Sequence, residues 1–467
     1  MTSKATTESS RPGHETLDRN NPKEIFGWIV YDWANSAFYT TVVAALFGEY
    51  LTRLAQASVG ENGIIFHVGP LLVTAKSLAP FTTGVSVFLQ VFLLPILGAF
   101  GDYSSLKKRL MIVFCYLGAT ATCLLFFLAS GRYLFGSLIF ILANVCFGAS
   151  IVFYNSFLPD IATENQRDRV SSQGFAWGYI GGGVLLALNL IFVFLAPSIG
   201  ISPGMAVRLS LMSAGVWWGG FSIITFKRLR TRSATRELPA NQTYLTIGFT
   251  ELFSTFRELA RLRETLKYLI GYLFYNDGIQ TVITVSAPFI GQELFVSRGL
   301  ETPPSFLLGI LLAVQFVAFF GSLGFARIAA WVGTKRAILI SLLGWCAIVI
   351  YAYGFLHTVP QAWVLAVCIA IVLGGSQALS RSLFSQMIPQ SREASFFGIY
   401  EISERGTSWI GPIVFAEVVA YTNSYRQAIL SLIAFFVIGT IILLLTNTTR
   451  AIHEAGNLLP DEAASKN

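Results

Sequence analysis

The sequence predicts an all-α membrane protein with twelve transmembrane helices in two pseudo-symmetric six-helix bundles. Three observations predict it: a scarcity of charge, a ladder of apolar runs whose connecting loops alternate in basic content, and a weak internal repeat.

Of the 467 residues, 54% are hydrophobic and 12% charged, and the mean hydropathy is +0.63. Soluble domains carry about 25% charged residues, so the composition belongs to the membrane class. The 41 glycines and 39 phenylalanines fit that class. Glycine permits close helix approach in lipid, and phenylalanine faces acyl chains well. A bilayer crossing needs about 20 apolar residues. Runs of that kind occupy 26–51, 78–101, 109–130, 134–158, 172–196 and 205–226, then 267–291, 305–330, 336–357, 361–388, 396–421 and 426–447. They are numbered spans 1 to 12.

The positive-inside rule sets orientation. With the amino terminus in the cytosol, the cytosolic side collects 24 Lys and Arg residues against six on the other side. Its share includes the loop residues Lys107, Lys108 and Arg109, the pair Arg167 and Arg169, and nine between Lys227 and Lys267. Both termini are therefore expected inside. The net charge of +7 follows from this loop bias, so no nucleic-acid partner is expected. The resulting organisation is a cytosolic tail (1–25), a first bundle (26–226), a basic linker (227–266), a second bundle (267–447) and a cytosolic carboxyl-terminal tail (448–467). The tail lacks the apolar core of a signal peptide. In the linker, 249–267 reads as an amphipathic helix, with Phe249, Leu252, Phe253 and Phe256 in one stripe and Arg257, Arg261 and Arg263 nearby. It is expected on the inner leaflet, with anionic lipid as its partner. Asn241-Gln242-Thr243 matches a glycosylation triplet, but its cytosolic position argues against use.

The two halves match in order. Gly27-Trp28-Ile29-Val30-Tyr31-Asp32 aligns with Gly271-Tyr272-Leu273-Phe274-Tyr275-Asn276 at an offset of 244. Gly101-Asp102 with Lys107-Lys108 aligns with Ala329-Ala330 and Lys335-Arg336 at 228, and Gly148-Ala149-Ser150 with Gly374-Gly375-Ser376 at 226. A parallel repeat of this kind suits two bundles that rock about a central site. Such a chain is expected to act as a monomer.

No HExxH, GxSxG, P-loop or dinucleotide fingerprint occurs, so neither an enzyme nor a cofactor is expected. The five cysteines lie in apolar runs without CxxC spacing, which argues against disulfides and a metal site.

Ionisable residues within spans are costly and mark candidate function. In span 1, Asp32, Asn35 and Tyr39 share a helical face by spacing and are expected to line a central cavity. Span 7 carries Asn276, Asp277 and Gln280, and Asn276-Asp277-Gly278 is a poor helix-interior tripeptide, so either a local break that frees backbone groups for a substrate or a simple bend is expected there. Span 10 offers Gln377 and Arg381, and span 11 offers Glu401, Glu404 and Arg405. Arg381 could hold a substrate carboxylate in a two-bond fork, or pair with Glu401 or Glu404. Glu401 and Arg405 could also neutralise each other at i, i+4. Asp32, Glu401 or Glu404 could carry a proton, so protons join a small-molecule substrate as expected partners. At the inner end of span 2, Gly98 and Asp102, with Lys107, Lys108 and Arg109, are expected to form a gate in which Asp102 meets a helix N-terminus of the other half. Gly174, Gly178 and Gly182 in span 5 are read as packing residues, and Trp177 and Tyr179 as candidate cavity residues.

These features are similar to the major facilitator superfamily, whose signature loop resembles Gly98-x-x-x-Asp102 followed by Lys107-Lys108-Arg109. More narrowly, Tyr31-Asp32-Trp33-Ala34-Asn35-Ser36-Ala37-Phe38 resembles the hallmark of the fungal autophagy-related vacuolar amino-acid effluxers and their bacterial relatives. The run Gly374-Gly375-Ser376-Gln377-Ala378-Leu379-Ser380-Arg381-Ser382, then Pro389, Phe396-Phe397-Gly398 and Gly411-Pro412, resembles it too. The resemblance implies the major facilitator fold and transport of small solutes, with amino-acid export the best-known activity. A bacterial plasma membrane is expected, with a vacuolar membrane as the alternative. A non-transporting nutrient sensor and a drug or sugar exporter are the competing functions. Ala330 stands where the second-half loop would place Asp, so a charge-based gate is expected on the first-half loop alone.

Overall fold

The computed structural model describes residues 19–61, 63–69, 71–102, 106–231, 244–406, 410–460 and 462. Among them, ten helices are long and apolar enough to cross a membrane. Spans 1 and 11 make twelve, and both are interrupted. Span 1 runs as Pro22–Ala37, a π-helical stretch Phe38–Leu46, and Phe47–Val59. Span 11 runs as Glu393–Glu401, a π-helical turn Ile402–Gly406, and Ile410–Thr422. π-turns inside α-helices gather at functional sites, and these two carry Tyr39 and Glu404–Arg405. The helix starts follow local chemistry. Asn21 caps span 1 by accepting from Lys23 N and Glu24 N, Ser202 precedes Pro203 in span 6, and Thr358 forms a capping box with Gln361 in span 10.

Each half has its own hydrophobic core, one around Trp28, Phe38 and Trp218 and one around Tyr272, Trp345 and Phe436. Helix pairings repeat between the halves: spans 1–6, 2–4, 3–4 and 3–6 pack as 7–12, 8–10, 9–10 and 9–12 do. Two seams join the bundles, span 2 (Leu78–Asp102) against span 11 and span 5 (Arg167–Leu195) against span 8 (Pro304–Val332). The repeat exchanges one seam for the other. The two cores are thus separate from each other, with both seams between them.

Two expectations are corrected. Span 7 is one helix, Arg263–Leu294, through Asn276-Asp277-Gly278; the break lies in span 11 instead. The linker helix runs Tyr244–Arg261, earlier than expected, and Lys267 belongs to span 7. The loop between spans 1 and 2 holds an antiparallel hairpin of β1 (Ile64–Val68) and β2 (Leu71–Thr74), which the span pattern did not announce. Asn241-Gln242-Thr243 lies outside the described residues.

Candidate functional site

Span 5 rides close along span 1. A Cβ at Gly174 would stand 2.7 Å from Asp32 Oδ2 and 3.0 Å from Arg381 Nη2, and one at Gly178 would meet Ser36 Oγ at 2.8 Å. The missing side chain at Gly174 leaves room for a buried ion pair between the halves. Arg381, 3% exposed, reaches from span 10 (Val359–Gln386) into the first bundle. Its Nη1 and Nη2 both lie 3.4 Å from Asp32 Oδ2; Nε donates to Ser171 Oγ and Nη2 to Ser171 O, each at 2.9 Å, and Nη1 donates to Asn155 Oδ1 at 3.2 Å. Tyr154 Oη donates to Asp32 Oδ2 at 2.7 Å. The guanidinium stacks over Phe175 at 4.2 Å and Trp28 at 4.9 Å, so a delocalised cation that is weakly hydrated suits the position better than an ammonium would.

This corrects the alternative that paired Arg381 with Glu401 or Glu404. Glu401 instead accepts from Arg405 Nε at 2.9 Å on its own helix and from Asn155 Nδ2 at 2.9 Å across the seam. Asn155 thus links the two charge pairs. Farther from Asp102, Tyr179 Oη donates to Gln377 Oε1 at 2.7 Å, and Tyr39, 41% exposed, lies within electrostatic reach of Glu404 and Arg405. Gln280 is half-buried and Asn35 is buried. Asp277 does not face this site. It is fully buried in the second bundle, where its Oδ2 accepts from Gly411 N at 2.9 Å, and Asn276 Nδ2 donates to Glu404 O at 3.0 Å. Both residues shape the break in span 11. Trp177 points away from Tyr179, packing against Trp33 and Phe319.

The bundles are closed together at the Asp102 end. Asp102, 4% exposed, accepts from Ala394 N at 2.9 Å, Ser395 N at 2.8 Å and Ser395 Oγ at 2.5 Å, capping the first helix of span 11 as an anion caps a helix dipole. The basic residues beside it brace the first bundle. Lys107 pairs with Asp160 at 3.0 Å, Lys108 donates to Leu229 O at 2.6 Å, and Arg109 is exposed. The expectation of a gate on the first-half loop alone is corrected at the other seam. There Thr334 Oγ1 donates to Asp168 Oδ2 at 2.6 Å, and Arg167 Nη1 to Ser385 O at 3.0 Å. With Ala330 lacking a carboxylate, span 5 supplies the polar groups from the opposite partner. Among the described residues, the hydrogen bonds between halves lie at the Tyr179–Gln377 level or on the Asp102 side of it. The Arg381 cluster lies on the Asp102 side of the Tyr179–Gln377 bond.

Tyr154, Asn155, Ser171 and Asp168 went unread in the sequence, and Arg167 was read only as a basic loop residue. The two at the end of span 4 interrupt an apolar run, which was the available signal.

The comparisons agree with this architecture. A family described as vacuole effluxer Atg22 like matches residues 20–456. An MFS-type transporter of Bacillus subtilis, YxiO, is 31% identical over 94% of this chain and 98% of its own. Autophagy-related protein 22-1 of Penicillium rubens is 24% identical, covering 95% and 93%. Among solved structures, the proton:xylose symporter XylE superposes with a TM-score of 0.65 at 12% identity, covering 95% and 98%. The fucose transporter FucP, in an outward conformation, gives 0.63 at 12%, covering 91% and 99%. The chain is an integral membrane transporter of the major facilitator superfamily and belongs to the Atg22-like family.

Proposed function

We propose that this carrier exports amino acids, with protons moving the opposite way, by alternating access around the Arg381–Asp32 pair. The observation that carries the reading is the engagement of Arg381: its partners, Asp32, Asn155 and Ser171, all belong to the other half. Opening the cytosolic seam withdraws Arg381 from all of them at once. Leaving buried charges unpaired costs about 3–5 kcal/mol, so the seam opens readily only when something replaces the pair. A zwitterionic amino acid does so, giving its carboxylate to Arg381 and its ammonium to Asp32. A sugar supplies neither charge. A proton on Asp32 removes the acceptor for the ammonium, so proton and substrate exclude each other at that carboxylate, as exchange requires. The aromatic and amide groups of Tyr39, Tyr179, Gln377 and Gln280 would face the substrate side chain. A bacterial plasma membrane, with both termini cytosolic, is the proposed setting.

Counterflow in proteoliposomes tests it. Loaded unlabelled amino acid should drive uptake of labelled neutral amino acid, and labelled sugars or lipophilic drugs should not exchange. Exchange of sugar or drug alone would give the carrier a different substrate, and silence toward every solute would make it a sensor.

A further inference from the structure

The linker helix Tyr244–Arg261 has its polarity reversed relative to a helix on a soluble protein. Toward the protein it turns Glu251, Thr255 and Glu258, with Leu259. Away from the protein it turns Phe253, 71% exposed, and Phe256, 45% exposed, with Arg257 and Arg261 beside them. At 100° per residue the two sets lie on opposite sides.

The inward face has one principal partner. Arg392, buried, donates from Nη2 to Glu251 Oε1 at 2.8 Å and Thr255 Oγ1 at 2.7 Å, and its Nη1 pairs with Glu258. Arg392 is the residue immediately before the helix Glu393–Glu401, whose first N–H groups Asp102 holds. The linker helix also packs on span 2. It therefore touches both sides of the span 2–span 11 seam at its cytosolic mouth.

The outward face needs an apolar medium bordered by anions. Span 7 begins two residues after the linker helix ends, at Arg263, which places the helix at the inner membrane surface. Two exposed phenylalanines flanked by arginines match the boundary between acyl chains and anionic headgroups.

We infer that the linker helix is a strap docked on the anionic inner leaflet, and that this docking holds the cytosolic gate closed through Arg392. The inference concerns the gate and not the substrate, so it stands or falls separately from the export reading. Hydrogen exchange of the full-length protein, in nanodiscs of phosphatidylcholine alone or with one third phosphatidylglycerol, tests it without any transported solute. Amides of 393–401 should exchange at least about threefold more slowly in the anionic discs, because exchange follows local opening. The Arg257→Gln/Arg261→Gln variant should lose that difference. Arg392→Gln should exchange faster in both lipids, showing that the strap acts through its inward face. Inorganic phosphate added to phosphatidylcholine discs should not slow exchange. Equal exchange in the two lipids, a lipid effect that survives the double arginine variant, or slowing by phosphate alone would each overturn the inference.

Discussion

Arg381 on span 10 and Asp32 on span 1 form an ion pair across the interface between the two bundles, with both guanidinium Nη atoms 3.4 Å from one carboxylate oxygen. The pair sits in a cage of Tyr154, Asn155, Ser171, Trp28 and Phe175. Every member except Arg381 comes from the first half. One side chain thus carries most of the second half's bonds to this cage, beside the separate Asn155–Glu401 bond.

Removing that side chain should be more harmful than removing the pair. Arg381→Gln leaves the Asp32 charge buried without its cation, and transport should fall at least tenfold. Asp32→Asn with Arg381→Gln leaves no charge stranded and should regain thermal stability relative to Arg381→Gln. Arg381→Lys should remain impaired, because a lysine cannot donate to Ser171, Asn155 and Asp32 in one planar fork. Melting temperatures in detergent and counterflow rates of the four proteins check this.

Asp102 should act on turnover rather than on binding. It caps the first helix of span 11 from the opposite half and lies at the cytosolic mouth, away from Tyr39 and Gln377. Hydrogen bonds to a charged group contribute about 1.5–3 kcal/mol each. Asp102→Asn keeps one acceptor and loses the charge, so the closed gate weakens. The maximal rate should drop several-fold with KM within about twofold. Parallel measurement of both constants decides it; an unchanged rate would remove Asp102 from the gate.

Much of this was legible in the sequence, for identifiable reasons. Hydropathy and the basic loops express how each span meets lipid and cytosol, so the twelve-span topology could be read. The partner of Asp102 could be anticipated because a carboxylate at a helix end seeks backbone N–H groups. Asn276-Asp277-Gly278 misled for an equally physical reason. Local propensity disfavours helix there, yet Asp277 bonds Gly411 N and Asn276 bonds Glu404 O, and these contacts place the break in the neighbouring span. Ser171 and Asn155 are neutral residues near span ends, where a polar side chain is unremarkable. Only the folded arrangement turns them toward Arg381.

Asp277 should therefore be a structural residue. It holds the first turn of Ile410–Thr422, and losing such a cap costs about 0.5–2 kcal/mol. Asp277→Ala should lower the melting temperature while leaving the response to a pH gradient intact. Loss of that response with normal stability would instead make Asp277 a proton carrier.

The pH response should depend on Asp32. With the membrane potential clamped at zero and the external face one pH unit more acidic, export should accelerate several-fold in the native protein. One unit corresponds to about 1.4 kcal/mol per proton moved, enough to support a tenfold solute gradient at one proton per solute. The sign follows from the site: acid outside loads Asp32 while the site faces outward, and the proton leaves on the cytosolic side where substrate enters. In Asp32→Asn, export should be equally fast with and without the gradient. A gradient response that persists in this variant would assign the proton elsewhere.

Gly98 offers the most direct mechanical test of the seam. A Cβ there would stand 2.2 Å from Ala394 O and 2.9 Å from Ala394 C. Both are backbone atoms, held in place because Asp102 binds Ala394 N and Ser395 N in the same turn. Gly398 approaches from the other side, where a Cβ would stand 2.8 Å from Pro95 Cα. Both contacts cross between the bundles, at the span 2–span 11 seam. Gly98→Val should therefore spare the fold and prevent spans 2 and 11 from closing at the cytosol. The variant should insert and melt close to the native temperature, and hydrogen exchange at 393–401 should rise to that of an open gate. Transport should fall to background, because a carrier that cannot close on the inside cannot return its site to the outside. Normal transport by this variant would mean that spans 2 and 11 need not meet here.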